Sequence, residues 1–286
     1  INTKQTILLE QNQEYSELRQ TINTDLVAIT LNNGGSSIKQ LKIIEANNAG
    51  EHKHLGRWDV EKSIYYQNEP VVLMDGDGCN PCLEIENQII RFSYKETINN
   101  NMQTIIKSYN PEFKITKETI IPNGSYVINH KFINLPPKDV SVLWSQGVLP
   151  SEQRLKDDLE MLAIYAQDEN SYKNKNLNNI KDGDQTNYQN VGWAGIKTKY
   201  FMKAITNKNF NHLKTEDVKF IHYIPQNIQN KNFVYSDMIF EYDARDLDGV
   251  LEVESYIGPI ATQHLKAERT QHLVQLFGFG WFIIGF

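Results

Sequence analysis

Short stretches in which apolar and polar residues alternate recur along this chain at intervals of about ten residues. Turns rich in Asn, Pro, Gly or Lys separate them, beginning with Asn-Asn-Gly-Gly at residues 32–35. Many short strands with turns between them are typical of an antiparallel sandwich or barrel, not of a parallel α/β sheet. We therefore predict an all-β, mainly antiparallel fold. The candidate strands cover residues 26–31, 38–43, 89–94, 102–109, 113–121, 126–135, 140–144, 220–224, 234–242 and 250–256.

Residues 151–162 carry the first of two helical patterns. Ser151 could cap a short helix in which Leu155, Leu159 and Leu162 share one face. The same residues could equally form an irregular excursion between strands.

Residues 259–276 carry the second and stronger helical pattern. Pro259 follows Gly258 and stands where the first turn of a helix tolerates proline. We predict that this C-terminal helix closes the sandwich and leads into the apolar end of the chain. Four apolar residues share one face of it, namely Ile260, Leu265, Leu273 and Leu276.

Residues 170–190 are rich in Asn, Lys and Asp and offer almost nothing to bury. Such a segment inside a sheet protein is typical of a solvated loop or insertion. No Gly-Ser or Pro-rich linker divides the chain, so the simplest interpretation is a single domain.

The composition limits which partners the chain can bind. A chain of 286 residues with 40% apolar and 22% charged residues is typical of a globular protein with a sizeable core. Its net charge of −6 supplies no electrostatic attraction to nucleic acid, which requires a basic surface. We therefore expect no nucleic-acid partner.

The last eleven residues, 276–286, read LFGFGWFIIGF and form the most apolar stretch of the sequence. No run of 18 or more apolar residues occurs, so no segment has the length of a membrane-spanning helix. Exposed Phe, Trp and Ile usually mark a protein or membrane contact. Together with a start at Ile1 without Met, this end suggests a piece of a longer protein, cut at a membrane boundary.

Cys79 and Cys82 are the two cysteines of the chain and stand in a Cys-Asn-Pro-Cys sequence. Such a pair could be a redox couple, a small disulfide or half of a zinc site completed by His52 and His54. The surrounding Asp-Gly-Asp-Gly turn chemistry and the lack of a second such motif favour incidental thiols or a local disulfide.

No catalytic motif is present: the sequence contains no G-x-S-x-G, P-loop, H-E-x-x-H or dinucleotide-binding fingerprint. His130 lies in an alternating stretch, which is typical of a packed or surface strand residue. We therefore predict no catalytic residue, no metal site and no cofactor, and a protein that is not an enzyme.

Three segments near the C-terminal end resemble the YidC membrane-protein insertase family. Residues 190–205 contain Gly-Trp-Ala-Gly-Ile followed by Lys-Tyr-Phe, similar to that family's G-W-x-G-I and K-Y-F stretch. Residues 255–259, Ser-Tyr-Ile-Gly-Pro, resemble its Y-x-G-P segment, and residues 277–282 resemble the F-G-W-F run ahead of its membrane core. Residues 22–41 and 114–134 match its earlier strands more loosely.

The resemblance implies a large periplasmic domain lying between the first and second transmembrane segments of a Gram-negative insertase. In that family the domain is a β-supersandwich, like that of galactose mutarotase, with a C-terminal helical part. Here this implies a sandwich over residues 1–258 and a helical segment over 259–286 leading to the inner membrane. The implied role is that of a non-enzymatic scaffold contacting the Sec translocon, SecDF and nascent membrane proteins.

The motif residues also have a physical interpretation of their own. Glycines permit turns or close approach of two backbones, and large aromatic residues fill a core. We therefore expect a structural role for the motif residues Gly192, Trp193, Gly195, Tyr200, Phe201, Gly258 and Pro259.

The apolar end is interpreted differently, because aromatic rings near a hydrocarbon boundary lie at the level of the lipid headgroups. We predict that five residues reach the membrane interface, namely Phe277, Phe279, Trp281, Phe282 and Ile283.

A second hypothesis comes from a different class of protein. The same fold occurs in sugar mutarotases and carbohydrate-binding domains, so the chain could be one of these. An aldose site requires His and carboxylate side chains that converge in one concave pocket, which only a structure can show.

Overall fold

The alternating stretches form strands in a computed structural model that describes residues 20–32, 37–168, 172–207, 216–224, 233–243 and 247–267. In β11, for example, buried and half-exposed residues alternate without interruption from Ile115 to Pro122. The strands are β1 (Gln20–Asn23), β2 (Val27–Asn32), β3 (Ser37–Ile43), β4 (Leu55–Asp59), β5 (Ile64–Pro70), β6 (Val72–Asp75), β7 (Cys82–Ile85), β8 (Gln88–Ile90), β9 (Ser93–Asn99), β10 (Gln103–Asn110), β11 (Ile115–Pro122), β12 (Val127–Ile133), β13 (Val140–Trp144), β14 (Ala163–Asp168), β15 (Tyr172–Asn176), β16 (Gln185–Lys197), β17 (Phe201–Asn207), β18 (Glu216–Tyr223), β19 (Tyr235–Tyr242) and β20 (Val250–Pro259). The helices are α1 (Leu155–Glu160) and α2 (Thr262–Ala267).

These strands build one large and two small antiparallel sheets. The large sheet has the order β8-β7-β13-β19-β18-β16-β17-β20-β12-β11-β10-β9, with β14 and β15 added beside β16. A four-stranded sheet has the order β1-β2-β3-β6, and β4 and β5 form a separate hairpin. Every strand pairing is antiparallel, which confirms the predicted fold class.

Two large buried clusters hold the sheets together, and a third, smaller cluster consists of Val60, Val72, Leu149 and Phe233. In the first, Phe220 and Phe240 from one half of the large sheet pack with Phe132 and Val253 from the other half, so the sheet curls onto itself. In the second, the core face of the four-stranded sheet, including Ile29 and Leu41, packs on Ile106, Trp193 and Tyr256 of the large sheet. Burial of one such side chain contributes about 1.5–3 kcal/mol to stability, so these clusters account for the sandwich.

Cys79 and Cys82 form a local disulfide. Of the alternatives for this pair, the zinc site is not formed, because the Nδ1 of His52 lies 3.3 Å from the carbonyl of Ile44 and His54 contacts Glu45. The described residues contain no cluster of His, Cys, Asp and Glu suited to a metal ion.

The disulfide loop lies where the two sheets meet. The amide of Asn80 donates to Ser37 Oγ at 2.8 Å, and the amide of Cys79 donates to Ser145 Oγ at 3.1 Å. Two fully buried lysines complete the contacts. Lys117 Nζ donates to the carbonyl of Pro81 at 2.9 Å, and Lys203 Nζ lies 3.3 Å from Asn80 Oδ1. The loop thus connects the small sheet to β11, β13 and β17 of the large one.

The helical predictions need correction. α1 is half the predicted length. Its N-cap residue is Arg154, not Ser151, and Arg154 makes no capping hydrogen bond with its side chain. Instead Asp158 Oδ2 accepts hydrogen bonds from the amides of Ser151 and Glu152. At the other end Pro259 is the last residue of β20, paired with Phe201, so α2 begins only at Thr262.

The prediction of a loop over residues 170–190 is also wrong in part. It contains β15 and the beginning of β16, which pair with β14 and β18 respectively. Neighbouring strands satisfy the backbone of these polar residues while their side chains remain mostly exposed. An exposed strand of this kind lacks the apolar half of the alternation, so its sequence does not distinguish it from a loop.

Candidate functional site

Strand pairing brings two of the three motif segments, residues 190–205 and 255–259, together in the large sheet. Phe201 pairs with Pro259 and Met202 with Gly258, and α2 follows three residues later. We call this region the C-terminal junction. It comprises the paired ends of β17 and β20, residues 199–200, Ile260, α2, and the side chains of Glu45, His54 and Tyr126, which pack against them.

Two motif glycines permit close packing beside the junction. A β-carbon at Gly195 would lie 2.6 Å from the carbonyl oxygen of Lys203, on the neighbouring strand β17. A β-carbon at Gly258 would lie 2.7 Å from the ring of Tyr126. Both distances are too short for any side chain. Gly192 is buried in β16 between Val191 and Trp193, which are buried as well.

The motif aromatics divide into buried and exposed residues. Trp193 is buried, and its Nε1 donates to Gln167 Oε1 at 2.7 Å. Phe201 is buried with the ring of His54 edge-on at 5.5 Å. Tyr200, by contrast, is exposed, so its predicted place in the core is wrong. Its neighbour Phe201 takes the inward side of the strand, and Lys199 Nζ lies 4.7 Å from the centre of the Tyr200 ring.

The carboxylate of Glu45 is the polar centre of the junction. Tyr126 Oη donates to its Oε2 at 2.8 Å, and Lys53 Nζ lies 2.5 Å from its Oε1. The Nε2 atoms of His54 and His264 lie 3.5 and 3.6 Å from Oε2. Since His264 belongs to α2, one carboxylate connects the helix, the 45–54 loop and the start of β12.

Burial and hydrogen bonds oppose each other in the electrostatics of this cluster. Burial alone would raise the pKa of Glu45, but hydrogen bonds from Lys53 and Tyr126 outweigh it and lower the pKa below 4.5. Burial lowers the pKa of His54, and the nearby charge of Glu45 only partly compensates. Glu45 is therefore a carboxylate and His54 a neutral imidazole at pH 7.

We expect Glu45→Ala to loosen α2 without unfolding the sandwich. The substitution removes the acceptor of Tyr126 Oη and the contact to His264, at a cost of about 1–3 kcal/mol. Hydrogen exchange at the amides of His264 and Leu265, which donate to Ala261, should become faster by about tenfold or more. Glu69→Ala is the matched control, because Glu69 forms an exposed ion pair with Arg57 that contributes at most about 1 kcal/mol. Equal exchange in both variants would contradict the role of Glu45.

The sequence analysis missed Glu45 and Tyr126 as members of the site. Glu45 ends a strand-like stretch, as many surface carboxylates do, and 81 residues separate it from Tyr126. No local signal predicts this contact. The predicted interface residues Phe277, Phe279, Trp281, Phe282 and Ile283 lie outside the described residues, as does the predicted helix beyond Ala267.

Within the part of the chain that the structure describes, no helix is both long and apolar enough to cross a membrane.

Solved structures similar to this one share its fold at low sequence identity. Ligand-free α-N-acetylgalactosaminidase NagBb from Bifidobacterium bifidum is 9% identical with a TM-score of 0.50, over 91% of this chain and 39% of that enzyme. The protein HI1317 is 8% identical with a TM-score of 0.45, over 84% of this chain and 91% of that one. The α-galactosidase from Lactobacillus brevis is 8% identical with a TM-score of 0.42, over 91% of this chain and 42% of that enzyme. Among curated protein sequences, none matches.

The fold is that of the galactose-mutarotase-like β-supersandwiches, as predicted. The model of one family, described as the YidC periplasmic domain, matches residues 92–285. The chain therefore belongs to the YidC periplasmic domain family, and the predicted family is confirmed. This is not an enzyme family, and membership implies a periplasmic position on a membrane protein.

Proposed function

We propose that the chain is a non-enzymatic scaffold in a YidC-type insertase of a Gram-negative inner membrane. One observation supports the proposal: two of the three matching segments pair at the C-terminal junction, after which the sequence continues to its most apolar residues. A partner-binding motif would be expected on an exposed surface, whereas most of these residues are buried around the exit of the chain.

The junction can transmit orientation from the sandwich to the segment that follows. Leu265 of α2 is buried in the core shared by the two sheets, and His264 contacts both Glu45 and the ring of Tyr126. The carbonyl of Tyr200 accepts a hydrogen bond from the amide of Ile260 at 2.7 Å. These contacts fix the beginning of α2 on the sandwich, and we propose that they thereby set the direction in which the following segment approaches the membrane.

The proposed partners are the Sec translocon, SecDF and nascent membrane proteins, held near the insertase by this domain. Support for them comes from family membership alone. Photocrosslinkers at exposed positions of the full insertase in inner-membrane vesicles should capture SecDF or a nascent chain at some faces of the sandwich. Capture of neither from any face would contradict the scaffold role.

The carbohydrate hypothesis finds less support in the positions of the histidines. His130 is fully buried against Trp144, Thr119 and Ser255, and burial lowers its pKa well below 6.5. His222 is buried between Ser236 and Thr186. Among the described residues, His54 and His264 lie within 4 Å of the Glu45 carboxylate. The contacts of this carboxylate join parts of the protein to each other. Protein-dependent anomer exchange of galactose or glucose, followed by polarimetry, would favour that hypothesis.

Deleting residues 277–286 should abolish flotation of the chain with liposomes and leave its melting temperature unchanged. The deletion removes seven large apolar side chains, five of them the predicted interface residues, and burial in lipid contributes about 1.5–3 kcal/mol for each. It should also suppress self-association of the isolated chain. A chain of full length with Ser at positions 277, 279, 281 and 282 separates the effect of these side chains from that of chain length. If the deletion unfolds the sandwich, or the complete chain does not float, the membrane-proximal assignment is wrong.

A further inference from the structure

The registers of the large sheet define two opposite ends. Gln103 pairs with Pro122, Lys197 with Met202, and Phe201 with Pro259, so these strand ends lie along the same edge of the large sheet as the C-terminal junction. We call this the junction end. The opposite ends of the same strands meet where Asn110 pairs with Ile115 and Ile133 with Val250, which we call the far end.

The most exposed large apolar side chains of the described residues lie at the junction end. They are Met102, Tyr200 and Leu55, which are 75%, 47% and 46% exposed. Met161 is 43% exposed and lies there too, because it comes two residues before Ala163, which pairs with Lys197. The far end has Tyr94 and Val250, which are 43% and 37% exposed. Ile98, 40% exposed, pairs with Ile105 near the junction end, and Ile64, 44% exposed, lies beside the turn of the separate β4–β5 hairpin.

Local contacts place each of these residues around the exit of the chain. The carbonyl of Met102 accepts a hydrogen bond from the amide of Asn123, which lies in the turn that precedes Tyr126. Leu55 follows His54, whose ring contacts Phe201. Tyr200 precedes Phe201 directly. The four apolar residues therefore lie at the junction end, on separate turns and strand ends.

We infer that the junction end lies directly on a phospholipid surface, with Leu55, Met102, Met161 and Tyr200 in its headgroup region. This inference rests on the proposed function, in which the chain continues into the membrane beyond α2. Residues 268–276 separate α2 from the apolar segment and can span at most about 30 Å even when fully extended, which holds the junction end near the bilayer.

The chemistry of these side chains fits a lipid boundary better than a protein partner. A stable protein interface has a buried, closely packed core, whereas a planar lipid interface accepts separate anchors distributed over an end face. Tyr200 has an apolar ring and a polar tip, as residues at membrane interfaces do. Lys199 Nζ lies 4.7 Å from the centre of this ring and 3.2 Å from Glu152 Oε2. Leu and Met supply apolar volume without a buried polar group.

Quenching by brominated acyl chains tests the orientation on the complete chain. Met102→Cys and Val250→Cys each provide one thiol for a fluorophore, since both native cysteines are in the disulfide. On vesicles of phosphatidylethanolamine and phosphatidylglycerol with brominated chains, the label at 102 should be quenched several-fold more than the label at 250. If the protein binds and the labels at 102 and 250 are quenched equally, the inference is wrong and the proposed function still holds. Failure of the complete chain to bind vesicles would overturn both.

Matched double variants test the contribution to binding. Met102→Ser with Tyr200→Ser should lower the vesicle partition coefficient about tenfold, because each substitution removes an exposed apolar side chain that lipid would cover. Tyr94→Ser with Val250→Ser, at the far end, should change it at most about twofold. Circular dichroism confirms that both variants are folded. Equal losses in the two variants would overturn the inference.

Discussion

Replacing Gly195 by alanine is expected to lower the free energy of unfolding by about 3 kcal/mol or more, one of the largest effects of any single methyl group in this chain. The new β-carbon would meet the carbonyl oxygen of Lys203 at 2.6 Å and the Cα of Ala204 at 3.0 Å. Both atoms are backbone, so no side chain can rotate away, and β16 and β17 must separate. Urea denaturation followed by circular dichroism measures the loss.

Gly124→Ala is the control for this prediction. Gly124 has a φ of +69°, but a β-carbon there would have no heavy atom within 4 Å. Its substitution should therefore cost about 1–2 kcal/mol, from backbone conformation alone. If the two variants lose the same stability, crowding between β16 and β17 is not the reason for a glycine at 195.

The protein should become more stable as the pH rises from 7 to about 9.5, because two lysines are completely buried. Burial lowers the pKa of both Lys117 and Lys203 from 10.5 to about 7. Between these values the unfolded chain binds more protons than the folded one, so raising the pH favours folding. About 1.4 kcal/mol accompanies each unit of pKa difference for each group, which makes a gain of several kcal/mol attainable. Urea denaturation at pH 7 and pH 9.5 measures it.

Variants assign this pH dependence to the buried lysines. Lys117→Met with Lys203→Met should remove most of the rise, although it also removes the donors to Pro81, Asn80 and the carbonyl of Ser145. Lys138→Met should retain the rise, since Lys138 forms an exposed ion pair with Glu86. A wild-type stability that is flat or falls between pH 7 and 9.5 would contradict the burial of uncharged lysines.

The strands that were predicted correctly are those with one side in the core. In β11 and β19 buried residues occupy every second position, so the sequence itself records which face is inward. The strand β15 and the first half of β16 have no such record, because their side chains are mostly exposed. Only pairing with β14 and β18 makes them strands.

Of the candidate site, the sequence predicted the motif residues but not the start of the second helix. Gly195, Trp193 and Gly258 belong to segments that resemble a known family, and close packing explains their identity. The start of the second helix was misplaced, because Pro259 is compatible both with a first helical turn and with the end of a strand. Its pairing with Phe201 decides for the strand.

The sequence by itself determined the fold class, the family and the apolar character of residues 276–286, since periodicity, motif order and composition are properties of neighbours along the chain. The tertiary structure alone decided that Glu45 joins α2 to the sandwich, that Lys117 and Lys203 are buried, and that Tyr200 is exposed. These outcomes depend on contacts such as Glu45 with Tyr126 and Lys203 with Asn80, which are 81 and 123 residues apart. Strand pairing over such distances creates burial that no local pattern encodes, and it can therefore reverse the usual preference of a lysine for water or of an aromatic ring for the core.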